Sequence, residues 1–366
     1  MVKQWPFYAK LTILVILMYL IFYGFFIGQH IFLPLGFAFL FSVLLRPLEK
    51  RFLKWRVPKL LSIIITIVIG ILCLAGLIMF LSHQISSFVK DVPAVKENLA
   101  GLWDKIQQWL LQTFHISQEQ QKNLIDKAAK DTMSNIKPVG TIGAITGSLA
   151  TLILIPVYVF LFLYYRAHLL RFVSEIFDSK HSARVEEVIH EIRYVMQHYI
   201  TGLLTETTIV AVLNVAGLIL IGAPYALLLG IISAILNLIP YIGGLIAVVL
   251  TALITFSNTG SVTKLIWSVV IFLIVQLIDN NFLVPRVIAS KIKLNALISI
   301  VGVLIGGALC GIGGMFLSLP LIAVCKVIFD RVDELKPWGK LLGDDIPSAN
   351  FRILLAKKRK AKTASK

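Results

Sequence analysis

The chain has 366 residues, 58% of them hydrophobic and only 15% charged, with a formal net charge of +16. A mean hydropathy of +0.87 excludes a soluble globular protein and implies a polytopic membrane protein. Cys73, Cys310 and Cys325 all fall in apolar stretches, an odd number with neither metal nor redox spacing, so disulfide and CxxC chemistry are not indicated.

The first apolar segment, 11–27, follows MVKQWPFYAK and could pass for a cleaved signal. The residues after it are GQH and then more apolar chain, with no small-residue cleavage site, which predicts a retained helix. A shorter segment, 31–46, completes a hairpin turning at Gly28 to His30. Arg46, Lys50, Arg51, Lys54, Arg56 and Lys59 then cluster before the segment 60–81. The positive-inside rule places this loop and the N-terminus in the cytoplasm. Together these segments form an N-terminal membrane unit, 1–81.

Residues 82–138 are the one sizeable polar insert, and its near balance of lysines and acids suits an external domain. Leu102, Trp103, Ile106, Trp109 and Leu110 share one helical face, and Ser117 with Gln120 resembles a capping box. These amphipathic helices could lie on the membrane, meet a neighbouring subunit or pack on each other, of which packing is the simplest. The segment 140–165 returns the chain to the cytoplasm. Ser182 then precedes a helix whose stripe, Val185, Val188, Ile189, Ile192, Val195, Met196 and Tyr199, needs an apolar partner. We take 139–200 as a membrane helix with a cytoplasmic linker helix.

A core, 201–330, follows. The segments 201–221 and 264–284 have the length of single crossings, whereas 225–256 and 295–328 are too long for one. If 225–256 crossed once, Arg286, Lys291 and Lys293 would lie outside, against the positive-inside rule. If it enters from outside and returns, the charges fall into line. Both long stretches are broken at the middle, by LNLIPYIGG with Pro240, Gly243 and Gly244, and by GGALCGIGG with Gly311, Gly313 and Gly314. Non-helical backbone at membrane depth survives only where protein or a watery cavity shields it. The fold class expected is therefore all-α: about six crossing helices, two re-entrant helical hairpins and a small extramembrane helical insert. Paired interrupted segments of this kind point to a transporter's binding site.

Polar residues in this core are the candidate pathway. At about 1.5 Å per residue, Asp279 lies roughly 22 Å from the outer end near Lys264, and Glu206 roughly 7 Å from the cytoplasmic end near residue 201. The two acids thus share the inner third of the bilayer. Buried carboxylates in a membrane are usually paired or line water. Asp279 is read as a transport or ligand-binding group in preference to an anchor for Arg286; for Glu206 both a functional role and snorkelling to the interface stand. Asn214, Asn237 and Gln276 fall nearer the middle, where their amides could bind a polar ligand or join helices. Asp279, Asn280 and Asn281 are expected to face the protein interior beside the second hairpin, with Pro285 and Arg286 stopping the helix at the interface.

The last unit, 331–366, is a basic cytoplasmic tail containing AKKRKAK; such a juxtamembrane run meets anionic lipid rather than nucleic acid. An enzyme is not expected. His190 and Glu191 begin an HE pair, but position 194 is Tyr, so the zinc-protease spacing fails, and neither a P-loop lysine motif nor a GxSxG elbow occurs. No cofactor or metal is implied.

The runs YALLLGIISAILNLIPYIGG, QLIDNNFLVPRVIASKIKLN and ISIVGVLIGGALCGIGGMFLSLPLIAVCKVIFD together resemble the autoinducer-2 exporter family of bacterial transporters, also described as PerM-type permease-like proteins. The similarity covers nearly the whole chain, is strongest over 199–330 and is weak in 82–138. It carries over the turn Ile239 to Gly244, then Gln276, Asp279, Asn280, Pro285 and Arg286, and the GGALCGIGG turn with Pro320. In ITGLLTETTIVAVLN this chain has Glu206 where the family normally carries a small polar residue or Gln. The resemblance implies a homo-oligomeric, pentameric exporter of small polar, autoinducer-2-like molecules in the bacterial inner membrane. Other branches resemble sodium or proton antiporters.

Overall fold

The computed structural model describes residues 6–114, 142–177, 182–239, 242–289 and 294–344, and all of its long elements are helices. In chain order they are α1 (Phe7–Ile27), α2 (Gln29–Lys54), α3 (Lys59–Phe114), α4 (Ile142–Tyr164), α5 (Arg166–Ile176) and α6 (Ser182–Leu220). Then follow α7 (Ala226–Asn237), α8 (Ile242–Thr259), α9 (Val262–Ile278), a π-helix (Asp279–Ala289), α10 (Ala296–Arg331) and the short α11 (Lys336–Leu342). The expected all-α polytopic architecture is what the chain adopts. The stretches 29–54, 59–89, 183–220, 262–287 and 296–331 are each long and apolar enough to cross a bilayer, and α4 with α5, bent by 65°, makes a sixth. The helix over 11–27 is apolar but shorter.

Beyond its crossing, α3 continues without a break to Phe114. The first part of the 82–138 insert is thus a direct extension of a membrane helix. The second half of that insert, 115–138, and the end of the basic tail, 345–366, lie outside the described residues.

The linker helix and the crossing at 201–221 are a single element, α6. Its predicted apolar stripe finds its partner within the protein: Val195, Met196, Tyr199, Ile200 and Leu203 are buried with Leu40 of α2 and Ala323 of α10. Leu238, at the break between α7 and α8, and Phe316 and Leu317 of α10 pack on the same cluster. One helix is therefore a common wall for both broken segments. At its N-terminal end Arg184 pairs with Asp333 at 3.1 Å and Glu187 with Arg331 at 3.3 Å, which ties α6 to the end of α10. The Lys336 ammonium and Arg184 guanidinium hold the Asp333 carboxyl below its ordinary range.

Both long apolar stretches are hairpins. In the first, α7 and α8 are separate helices flanking the break at 238–241, and Leu218, Leu229, Ala247, Ile254 and Phe272 form a core joining them to α6 and α9. In the second, the helical path of α10 fails at Cys310 (φ −138°, ψ 20°) and at Gly311 (φ 61°, ψ −150°). That Gly311 conformation is one side chains with a Cβ rarely adopt. The chain doubles back there: a Cβ on Gly306 would sit 2.4 Å from the Gly314 carbonyl oxygen, and one on Gly302 would sit 2.2 Å from Ile322. In a straight helix residues eight apart are about 12 Å apart along the axis. Gly302 and Gly306 thus let one arm of the hairpin pack closely on the other. Gly313 faces α2, with Leu33 and Phe37 against its Cβ position.

Candidate functional site

Where α7 ends, its last residue reaches two carboxylates. Asn237 Nδ2 donates to Glu206 Oε1 of α6 at 3.2 Å and to Asp279 Oδ2 at 3.0 Å. The acids are 5% and 2% exposed, so the three side chains form a buried trio in the membrane-spanning core. Local sequence explains each placement. Glu206 is three residues past Leu203, on the face that α6 turns inward. Asp279 follows Phe272 and Val275 at helical spacing, and those two are buried against the hairpin. Asn237 terminates α7, so its amide is free of a helical neighbourhood and can extend from the tip.

The start of α8 closes over the trio. A Cβ on Gly244 would lie 3.0 Å from Gln276 Oε1 and 3.6 Å from Asn237 Oδ1. The first turn of α8 is thus at the site. Gln276 in turn donates to Asn280 Oδ1 at 3.3 Å. Acceptor capacity is left over: Asp279 Oδ1 is buried with no hydrogen-bond partner among the described residues.

The predicted pathway residues therefore separate into groups. Glu206, Asn237, Asp279 and, beside them, Gln276 and Gly244 come together. Asn214 is buried at 2% exposure two turns along α6, with Oδ1 lacking a partner among the described residues. Gly311, Gly313 and Gly314 belong to the second hairpin, and Pro240 lies outside the described residues. Asp279 meets the tip of the first hairpin, where the second had been expected.

Two further expectations are corrected. Asn280 and Asn281 do not face the interior but are exposed on the single chain. Successive helical positions turn by about 100°, so three consecutive residues cannot share one buried face. Nor does Pro285 stop the helix: it sits inside the π-helix, which continues to Ala289, with Arg286 5.8 Å from the Phe282 ring centre. The wider π turn relaxes the clash that a proline ring makes with the carbonyl four residues earlier. Sequence reasoning also missed Gly202, where a Cβ would lie 2.7 Å from the Val287 carbonyl oxygen. A glycine at the entry of a membrane helix was its only signal.

The two tip glycines are not equivalent. A Cβ on Gly243 would fall 1.6 Å from the Leu236 carbonyl oxygen, a backbone atom that cannot move aside, whereas Gly244 opposes the mobile end of Gln276. Gly243→Ala is expected to destabilise the protein by about 1–3 kcal/mol, read as a lowered melting temperature in detergent. Gly244→Ala should melt like wild type.

A family model described as the AI-2E family transporter matches residues 11–334. The chain belongs to the AI-2E transporter family. It is similar to the AI-2 transport protein TqsA of Escherichia coli, at 22% identity over 92% of this chain and 96% of that one. It is also similar to the YhhT protein of Escherichia coli, named as a candidate transport protein, at 25% identity over 88% of this chain and 91% of that one. PerM of Escherichia coli, named as a candidate permease, is 25% identical over 80% of this chain and 88% of its own. This AI-2E family member is thus a membrane transporter and not an enzyme.

Proposed function

We propose that this AI-2E family member is a secondary transporter of the autoinducer-2 exporter type. It moves a small polar molecule across the bacterial inner membrane by alternating access around its two hairpins. The observation that carries this reading is the pair of buried carboxylates held by a single amide at the tip of a broken helix. Keeping two acids at membrane depth costs several kcal/mol unless they are paired or hydrated, and one amide donor does not satisfy four carboxylate oxygens. The remaining acceptors suit the hydroxyls of a polyol or furanosyl solute, and the similarity to the AI-2 transport protein TqsA supports an autoinducer-2-like one.

A second reading, a sodium or proton antiporter, is favoured by the same pair: two carboxylates within reach of one amide are also a holder for a single cation or proton. In either case further buried polar groups lie along the two arms of the first hairpin, α7 and α8. Ser233, Thr251 and Thr255 are buried with hydroxyl oxygens lacking partners among the described residues. They offer a polar file toward the outer end of the first hairpin. Assembly as a homo-oligomer, by resemblance a pentamer, is supported by Asn280 and Asn281, polar and exposed on a membrane-length helix of the single chain; a neighbouring copy would remove that mismatch.

The test is flux through purified protein in liposomes, scanned over furanosyl and polyol compounds with and without sodium and pH gradients. Solute movement above empty liposomes supports the exporter reading. Cation exchange without solute movement selects the antiporter, and silence in every arm leaves a non-transporting scaffold.

The inside orientation of both termini has its own test. In a background lacking Cys73, Cys310 and Cys325, single cysteines at the exposed positions Val262 and Trp55 are expected to react with an impermeant thiol reagent from outside and from inside respectively. Reaction of both from one side would refute the outer re-entrant hairpin.

A further inference from the structure

A cavity of about 310 Å³ lies away from the carboxylate trio, between α2, the bend from α4 to α5, and the linker half of α6. Its walls are mostly apolar, with Phe39, Phe162, Leu169, Val173 and Ile192 among them. Three arginines also line it, one from each side: Arg46, Arg166 and Arg193. Arg46 is paired with Glu49, which is wholly buried. Arg166 and Arg193 make no ion pair with a described residue. Three guanidinium groups thus face a single carboxylate. Arg46 Nε is moreover buried without an acceptor among the described residues.

A slot of hydrocarbon whose lining carries excess positive charge is complementary to an amphiphile with an anionic head. The cavity lies at the basic end of α2, which the positive-inside rule puts on the cytoplasmic side, where the leaflet carries anionic lipid. A bare phosphate would leave the apolar walls unfilled, and a zwitterionic lipid would leave the arginines uncompensated. Guanidinium groups also match phosphate oxygens in bidentate geometry.

We propose that this cavity is a binding site for one anionic phospholipid, its phosphate held by Arg166 and Arg193 and an acyl chain lying along Phe39, Phe162 and Val173. The lipid bridges the α2 and α6 helices and the α4 to α5 bend, so its occupancy bears on how α6, the wall shared by both hairpins, is held. This site is independent of the solute the protein carries.

Purified full-length protein in detergent is titrated with phosphatidylglycerol, phosphatidylcholine and glycerol 3-phosphate, with bound lipid counted by native mass spectrometry and melting followed in parallel. Phosphatidylglycerol should bind and raise the melting temperature, and the other two should not. Arg166→Gln and Arg193→Gln should each weaken phosphatidylglycerol binding by about fivefold, and Val173→Trp, which fills the slot without changing charge, should abolish it. Equal binding of phosphatidylcholine would overturn the proposal, as would a matching response to glycerol 3-phosphate, which would leave an anion site only. Wild-type affinity in Val173→Trp and in the double arginine variant would also overturn it.

Discussion

Asp279→Asn is expected to yield a folded protein that has lost transport. The substitution keeps the side chain's shape, and its carbonyl can still accept from Asn237 Nδ2, the donor now 3.0 Å from Asp279 Oδ2. What it removes is one of two carboxylates bound to the same amide. Two acids gathered at one amide oppose each other, because like charges sharing a site disfavour joint ionisation, so neutralising one offsets any hydrogen-bond weakening. The melting temperature should therefore equal or exceed that of wild type. Transport should respond differently, because a hydrogen bond from ligand to a charged acceptor is worth about 1.5–3 kcal/mol, which corresponds to a loss of roughly 10- to 100-fold in liposome flux or ligand affinity. Glu206→Gln should give a milder defect, since Glu206 lies farther from the shared donor, at 3.2 Å, and is the more exposed of the two. Normal, gradient-responsive flux through Asp279→Asn would remove this carboxylate from the mechanism. The hairpin backbone and amides would then be the site.

Much of this site was legible before any coordinates, because depth along a membrane helix is arithmetic. Glu206 and Asp279 enter from opposite ends of the bilayer, and counting their rise brought them to one level. The two hairpins were legible for a related reason: a stretch too long for one crossing, with proline or glycines at its middle, has few ways to fold. What linear reasoning could not provide was rotation about the helix axis and the identity of neighbours. Asn280 and Asn281 were read with Asp279 as one polar group, yet only Asp279 turns inward. Arg286 was weighed as the partner of Asp279, but Asn237, 42 positions away, makes the contact. Pro285 was read as a terminator because α-helical geometry was assumed, and a π-helix carries the chain past it. Glu49 was hidden within a basic cluster, its burial at the end of α2 set by packing against distant elements. The arginine-lined cavity was invisible for the same reason, its three guanidinium groups coming from three separate segments.

The largest stability loss is expected at Asn237, the residue on which both acids depend. Asn237→Leu keeps side-chain size but removes the amide that donates to both Glu206 and Asp279, leaving the two buried carboxylates without it. Breaking a buried charged contact from one side typically costs about 3–5 kcal/mol, which should lower the melting temperature by on the order of 6 °C or more. If the loss arises from the acids, it should be partly repaired by removing one charge. Asn237→Leu combined with Asp279→Asn should recover about 0.5–3 kcal/mol relative to additivity. A core substitution with no polar role distinguishes this from general loosening: Leu229→Ala, in the same helix and fully packed against Leu218 and Phe272, should cost about 2–5 kcal/mol and gain nothing from Asp279→Asn beyond the change that substitution makes alone. Strict additivity in both pairs, or an Asn237→Leu protein as stable as wild type, would mean that the amide does not hold the carboxylates together. The tip of the first hairpin would then be positioned by its apolar contacts with α6 alone.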